Sequence, residues 1–128
     1  MSNEPYNDVV RGLFEAPAHA GDLDGAVSVY AASQGMRIAL SARLSQGNIT
    51  ALRFRAWGCP HFIAAAEVFC ADFEGRPALQ LADFRASEVM QTLSVPVEKT
   101  GRILVLEDAV RSLGRSVRNG PDPGQGIQ

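Results

Sequence analysis

The spacing of apolar residues changes abruptly at Trp57-Gly58-Cys59-Pro60-His61, and this change limits the folds open to the chain. Before this point, apolar and polar residues alternate, which is typical of half-buried strands. After it, Phe62, Ala66, Phe69 and Phe73 mark one stripe of a helix. A chain with strands first and helices afterwards favours helices packed on one face of a sheet.

The alternating part of the chain predicts three consecutive strands. Residues 36–44 and residues 50–57 each alternate between apolar and polar side chains. Gln46-Gly47-Asn48 between them is typical of a hairpin turn. Residues 26–31 predict a shorter strand before these two. Because the links are short, the three strands are expected to form an antiparallel meander.

The remaining segments predict one short helix before the sheet and several helices after it. The predicted helices are Tyr6–Phe14, Phe62–Phe73, Ala86–Leu93 and Glu98–Val117, with a single turn at Leu79–Leu81 and a loop at Glu15–Gly25. We therefore predict an α+β fold in which a three-stranded antiparallel meander packs against C-terminal helices. Residues 1–118 are expected to form one domain, and residues 119–128, rich in Gly and Pro, a disordered tail.

Composition excludes several classes of function. A net charge of −2 on 128 residues gives no electrostatic basis for binding nucleic acid. No apolar run approaches the roughly 18–20 residues of a membrane-spanning helix. The first five residues lack the basic and apolar regions of a signal peptide. Two cysteines do not make a disulfide framework, so we expect a protein of the reducing cytoplasm.

Cys59 is the first candidate functional residue, because it lies where the strand pattern ends and a helix begins. Pro60 suits the first helical position, where its missing N–H has no partner to lose. The free N–H groups and the dipole at a helix start favour the thiolate, the form that binds metal or carries sulfur. The alternative is a small buried apolar residue, the role that we expect for Cys70 beside the aromatic stripe.

Four segments of the chain occur in the order of a known family signature. They are Leu13–Gly21, with an aromatic residue, a proline and a glycine; Phe54-Arg55-Ala56-Trp57-Gly58-Cys59; Ile63-Ala64; and Ile103–Val110. Together they resemble the U-type iron–sulfur cluster scaffold family, the IscU and NifU N-terminal-domain group. The resemblance implies an IscU-like fold and a part in iron–sulfur cluster assembly as a scaffold-like protein, not an enzyme.

The resemblance also implies where metal ligands belong, and this chain departs from the family there. Family members hold the nascent cluster or a zinc ion with three cysteines and an Asp or His. The matching positions hold Ala32 (Ser33 after a one-residue shift), Gln34, Cys59 and Arg102, which follows Gly101. Only Cys59 is retained. We therefore expect no cluster to be held in the family's usual way.

A cluster or zinc ion would then require an atypical site. Cys59 and His61 form a Cys-x-His pair in the first helical turn, and His19, Asp22 or Asp24 would have to supply further ligands. Zinc takes four N, S or O ligands, and clusters are held by several thiolates. No cofactor is expected at the family's own ligand positions.

Three functions remain open at this stage. The chain is an accessory member of the family that acts by binding proteins, or it accepts a persulfide on Cys59, or it has an atypical metal site at Cys59 and His61. Arg102 is either a cation beside Cys59 or a solvated helix residue. The expected partners are proteins such as a cysteine desulfurase or other iron–sulfur assembly proteins. The chaperone-recognition stretch of the family is altered here to Val95-Pro96-Val97-Glu98-Lys99.

Overall fold

The computed structural model describes residues 7–24 and 26–119. In chain order the elements are α1 (Asp8–Glu15), β1 (Val27–Ser33), β2 (Met36–Ser45), β3 (Asn48–Trp57), α2 (Pro60–Phe73), α3 (Ala86–Leu93) and α4 (Thr100–Asn119), with 3₁₀ helices at Ala78–Asp83 and Val97–Lys99. The predicted fold class is confirmed. The predicted tail lies outside the described residues, except that Asn119 ends α4. Within the described ranges, no helix has the length and apolar character needed to cross a bilayer.

The three strands form an antiparallel sheet in the order β1–β2–β3. Leu40 of β2 pairs with Val29 of β1 and Phe54 of β3, and these residues share the face that packs against the helices. Neighbouring residues point to the opposite face, where Arg37 pairs with Trp57. The alternation in the sequence therefore marks the inner and outer faces of the sheet.

The helices cover the inner face of this sheet. Helix α4 packs beneath β1 and β2, and α2 packs beneath β3. The rings of Phe69, Phe73 and Phe84 meet with centroids 5.1–5.9 Å apart, which ties α2 to the segment before α3. Full burial of each such side chain contributes about 1.5–3 kcal/mol to folding. Cys70 is fully buried in this core, as predicted.

Candidate functional site

Three segments that are distant in sequence meet at one end of the sheet. The β1–β2 turn lies at this end, and so does the junction between β3 and α2, because Arg37 pairs with Trp57. The start of α4 is the third segment. A Cβ atom added to Gly101 would lie 3.6 Å from Oε1 of Gln34. The structure thus brings together the regions that the family resemblance implies for its ligands.

Cys59 is the N-cap residue of α2, and Pro60 follows it in the first turn. Its backbone is extended, and its carbonyl accepts hydrogen bonds from the N–H groups of Phe62 and Ile63. Its thiol makes no capping hydrogen bond and is half-buried. The predicted position of this cysteine at a helix start is therefore confirmed.

Gly58 shapes the approach to Cys59. Its φ of +152° is rare for residues with a side chain, and an added Cβ would lie 2.3 Å from Sδ of Met36. Met36 is the first residue of β2 and is nearly buried. The glycine therefore lets β3 turn into α2 directly against the start of β2.

The β1–β2 turn presents residues without a metal-binding side chain. Gln34 and Gly35 both have positive φ, 56° and 77°, as a two-residue hairpin turn of the primed type requires. Ala32 and Ser33 precede them and are exposed. Ala32 carries no donor atom, and the Gln34 side chain is a neutral amide that lies against Gly101.

His61 is buried among cations. Only 1% of its surface is exposed, and Nζ of Lys99 lies 3.0 Å from its Nδ1. A lysine ammonium can only donate, so Nδ1 accepts and carries no proton in this contact. Burial chiefly, and then the charges of Lys99 and Arg102, lower the pKa of His61 below its usual value of 6.5. His61 is therefore neutral near pH 7.

Arg102 lies in the first turn of α4, and its charge is the smallest of the causes that lower the pKa of His61. The side chain of Arg102 is partly exposed, and both interpretations of it, a cation beside Cys59 or a solvated helix residue, stay predictions.

His19 and Asp22 have other partners, and the backbone carbonyl of Asp24 accepts a hydrogen bond of 2.6 Å from Arg43, near the far end of β2. Nδ1 of His19 is 2.6 Å from Oε2 of Glu67, and Nε2 is 3.3 Å from Oε1 of Glu74. Asp22 forms an ion pair of 2.8 Å with Arg55. The idea that His19 completes a site with Cys59 is therefore wrong, because carboxylates occupy both of its ring nitrogens.

The donor set at this end of the sheet does not suit a metal ion. Across residues 7–24 and 26–119, no three His, Cys, Asp or Glu side chains are grouped closely enough to hold one. Cys59 and His61 are two residues apart, and Nδ1 of His61 already accepts from Lys99. Zinc with these residues would need ligands from outside this group.

Two of these contacts join residues that are far apart in the sequence. Lys99 and His61 are 38 positions apart, and neither belongs to a pattern that pairs them. Glu67, with a side chain only 5% exposed, is hidden among the apolar residues of α2 and was not expected to bind His19. A carboxylate in the middle of a buried helix segment was the available signal, because it needs a partner.

Comparisons with known proteins agree with this fold. Residues 5–113 match the family model described as NifU-like N terminal domain. The chain is similar to the iron–sulfur cluster assembly scaffold protein IscU of Azotobacter vinelandii, at 25% identity over 122 residues, covering 89% of this chain and 94% of that protein. It is 27% identical over 119 residues to the iron–sulfur cluster assembly protein IscU of Plasmodium falciparum (isolate 3D7), covering 88% and 74%. The crystal structure of a nitrogen-fixing NifU-like protein (N-terminal) from Brucella abortus has a TM-score of 0.73 at 16% identity, covering 90% of this chain and 95% of that one.

Proposed function

Because the chain belongs to the NifU-like N-terminal domain family, we propose that it acts in iron–sulfur cluster assembly as a scaffold-like accessory protein. In this role it binds other proteins and does not hold a cluster through the family's usual ligands. The observation that carries the proposal is the set of side chains at the implied ligand positions, where Cys59 is the one thiol beside Ala32, Gln34 and Arg102.

The residues at the implied ligand positions support this proposal. Thiolates are the usual ligands of iron–sulfur clusters, and several are needed. Here Cys59 is one thiol, Ala32 offers no donor, and Gln34 offers a neutral amide. Arg102 adds a positive charge where the family resemblance implies a thiolate. One thiol is too few to hold a cluster in the usual way.

The partners that fit this role are other assembly proteins, and a cysteine desulfurase is one candidate. Both cysteines are free, which suits a reducing compartment such as the cytoplasm. Exposed Trp57 and Tyr30 lie on the outer face of the sheet, and the guanidinium group of Arg37 stacks 5.0 Å from the Trp57 ring. Exposed aromatic side chains with arginine are typical of protein-binding surfaces.

Anaerobic reconstitution tests the proposal. The purified full chain is incubated with ferrous iron and sulfide, desalted, and assayed for iron and visible absorption, with the Azotobacter vinelandii IscU protein treated in parallel. We expect this chain to retain no stoichiometric iron and to show no cluster absorption. A stable chromophore at about one cluster per chain or per two chains would contradict the proposal.

Sulfur transfer is a second candidate function, favoured by the half-buried thiol at the start of α2. In this reaction the Cys59 thiolate attacks the outer sulfur of a persulfide on a cysteine desulfurase. A new sulfur–sulfur bond forms on Cys59, the old one breaks, and the desulfurase cysteine leaves as a thiolate. Cys70 cannot take part, because it is fully buried and burial raises the pKa of its thiol.

Mass spectrometry distinguishes this candidate from the accessory role. The chain is incubated with a cysteine desulfurase and cysteine, and the peptide containing Cys59 is examined for one added sulfur. The Cys59→Ser variant is the control. An adduct on wild type that the variant lacks supports sulfur transfer, whereas binding of the desulfurase without an adduct supports the accessory role alone.

An atypical metal site at Cys59 and His61 remains the third possibility from the sequence. The structure disfavours it, because a metal at Nδ1 of His61 would have to displace the Lys99 ammonium. Incubating the full chain with zinc in place of iron and sulfide, and measuring the zinc retained after desalting, tests this site.

A further inference from the structure

The two edges of the sheet differ in how their backbone groups are satisfied. Along the outer edge of β3, the N–H of Ile49 donates to the carbonyl of Arg76 at 2.9 Å. The N–H of Leu52 donates to Oε2 of Glu74 at 2.8 Å, and that of Phe54 to the carbonyl of His19 at 3.0 Å. Other segments of the chain thus cover this edge.

The outer edge of β1 has no such cover within the described residues. Among the residues that the structure describes, the backbone of Val27–Ser33 hydrogen-bonds only to β2. In an antiparallel strand, every second residue directs its N–H and C=O away from the neighbouring strand. The pairing of β1 with β2 is continuous, so no bulge disturbs this row of outward groups.

The side chains of β1 do not protect the edge either. Its sequence, VSVYAAS, contains no charge, proline or glycine. Edge strands in natural proteins usually carry such residues or a bulge, because a bare edge is a template for another strand. Tyr30 adds an aromatic side chain that is 59% exposed on the outer face.

We propose that the free edge of β1 binds an extended segment of a partner protein as an additional strand. The pairing uses main-chain hydrogen bonds, and alternate side chains of the partner segment determine its specificity. The inference goes beyond the proposed function, because it holds whether or not Cys59 carries sulfur.

The position of α4 selects a partner segment over a second copy of this chain. Helix α4 packs directly beneath β1. Paired strands lie about 4.8 Å apart, whereas a helix with its side chains is about 10 Å wide. Two copies joined through β1 would bring two α4 helices into the same space, so the occupant is a strand without a helix beneath it.

The faces of β1 indicate the chemistry of that strand. Val27, Val29 and Ala31 face the core side and are only half-buried. An added strand with apolar side chains at every second position would cover them. Tyr30 on the outer face suits polar or β-branched neighbours. The partner segment is therefore uncharged, extended and alternately apolar.

Hydrogen exchange of the full-length chain tests this proposal. The probe is the neutral peptide Ser-(Thr-Val)₃-Thr-Ser, and the control peptide has proline in place of its central valine. We expect alternate amides of β1 to exchange freely without peptide and to exchange at least about tenfold more slowly when it is bound. If these amides are already protected in the free chain, the edge is covered and the proposal is wrong.

Two proline variants locate the binding site. Ser28 and Val29 are neighbours, so the N–H of one points outward and that of the other points towards β2. Of Ser28→Pro and Val29→Pro, the one that removes the outward donor keeps the fold, since edge strands tolerate such a proline. We expect it to bind the peptide about tenfold more weakly, because a peptide carbonyl loses its donor. Arg55→Ala, at an exposed position of β3, is the matched control and should bind the peptide as wild type does.

The remaining outcomes also decide the question. If both proline variants unfold, Tyr30→Asp, at an exposed position, replaces them and should weaken peptide binding. No binding of the peptide at about 1 mM would overturn the proposal. A concentration-dependent dimer that the folded proline variant lacks would assign the edge to a second copy and would contradict the partner segment.

Discussion

The contact between His19 and Glu67 should hold the loop before β1 against α2 and β3. Nδ1 of His19 lies 2.6 Å from a Glu67 carboxylate whose side chain is only 5% exposed. The backbone N–H of His19 donates to the other Glu67 oxygen at 2.7 Å, and its carbonyl accepts from Phe54 on β3. Removing the imidazole therefore leaves the buried Glu67 carboxylate with one of these two hydrogen bonds, the one from the backbone N–H of His19.

The magnitude for His19→Ala follows from this geometry. Leaving a buried carboxylate oxygen without its hydrogen-bond donor costs about 1–3 kcal/mol, and more where the group is charged. His19 is 17% exposed, and Glu67 keeps one backbone N–H, so we expect a loss of about 2–3 kcal/mol. For an m-value of about 1.5 kcal/mol/M, the urea midpoint should fall by about 1.3–2 M.

Urea unfolding followed by far-UV circular dichroism measures this loss. The matched control is Arg55→Ala, which breaks an ion pair with Asp22 whose two side chains are 51% and 63% exposed and should cost less than about 1 kcal/mol. If His19→Ala destabilises the protein no more than Arg55→Ala does, the buried contact between His19 and Glu67 does not stabilise the loop.

Three further predictions concern the site and its surroundings. Burial and the charges of Lys99 and Arg102 lower the pKa of His61 below 6.5, so the unfolded chain binds this proton at a higher pH than the folded chain does. The free energy of unfolding should therefore fall as the pH drops below about 6.5, by up to about 1.4 kcal/mol per pH unit. Urea unfolding at several pH values should show a weaker dependence for His61→Asn. Gly58→Ala should destabilise the fold by about 1–3 kcal/mol, because φ is positive there and the added Cβ would contact Met36 of β2. Gly12→Ala, in open space on α1, should stabilise the fold by about 0.5–1 kcal/mol, and thermal melting of both variants checks these values. Iodoacetamide should alkylate half-buried Cys59 well before Cys70, because burial shields the Cys70 thiol and raises its pKa. Equal rates for the two cysteines would show that the core around Cys70 is open.

The sequence predicted the elements well where its periodicity is strong. The helix at Ala86–Leu93 has the predicted bounds, and the two long strands differ from prediction by only one or two residues at their ends. The first strand runs on to Ser33, because small residues such as Ala32 and Ser33 carry no alternation signal. Helix α4 begins at Thr100 after a 3₁₀ turn, because Pro96 ends the preceding segment.

The site was predictable only in part. Cys59 at a helix start follows from local signals, since Pro60 and the change of period lie beside it. The contact of Lys99 with His61 and the approach of Gln34 to Gly101 depend on tertiary packing, which a single sequence does not record. The charges around His61 therefore emerged only from the fold.

Zinc binding by a variant with restored ligands tests whether this chain keeps the family's backbone frame while lacking its ligands. The variant carries Ala32→Cys, Gln34→Asp and Arg102→Cys beside Cys59, and a second version uses Ser33→Cys for the one-residue shift. Zinc content is measured after dialysis against trace zinc, with the fold checked by circular dichroism. We predict one zinc ion per chain in the folded variant and none in wild type. Equal zinc in wild type, lost in Cys59→Ser, would show that the wild-type ligands suffice; failure of both folded versions to bind zinc would show that the family's frame is not retained.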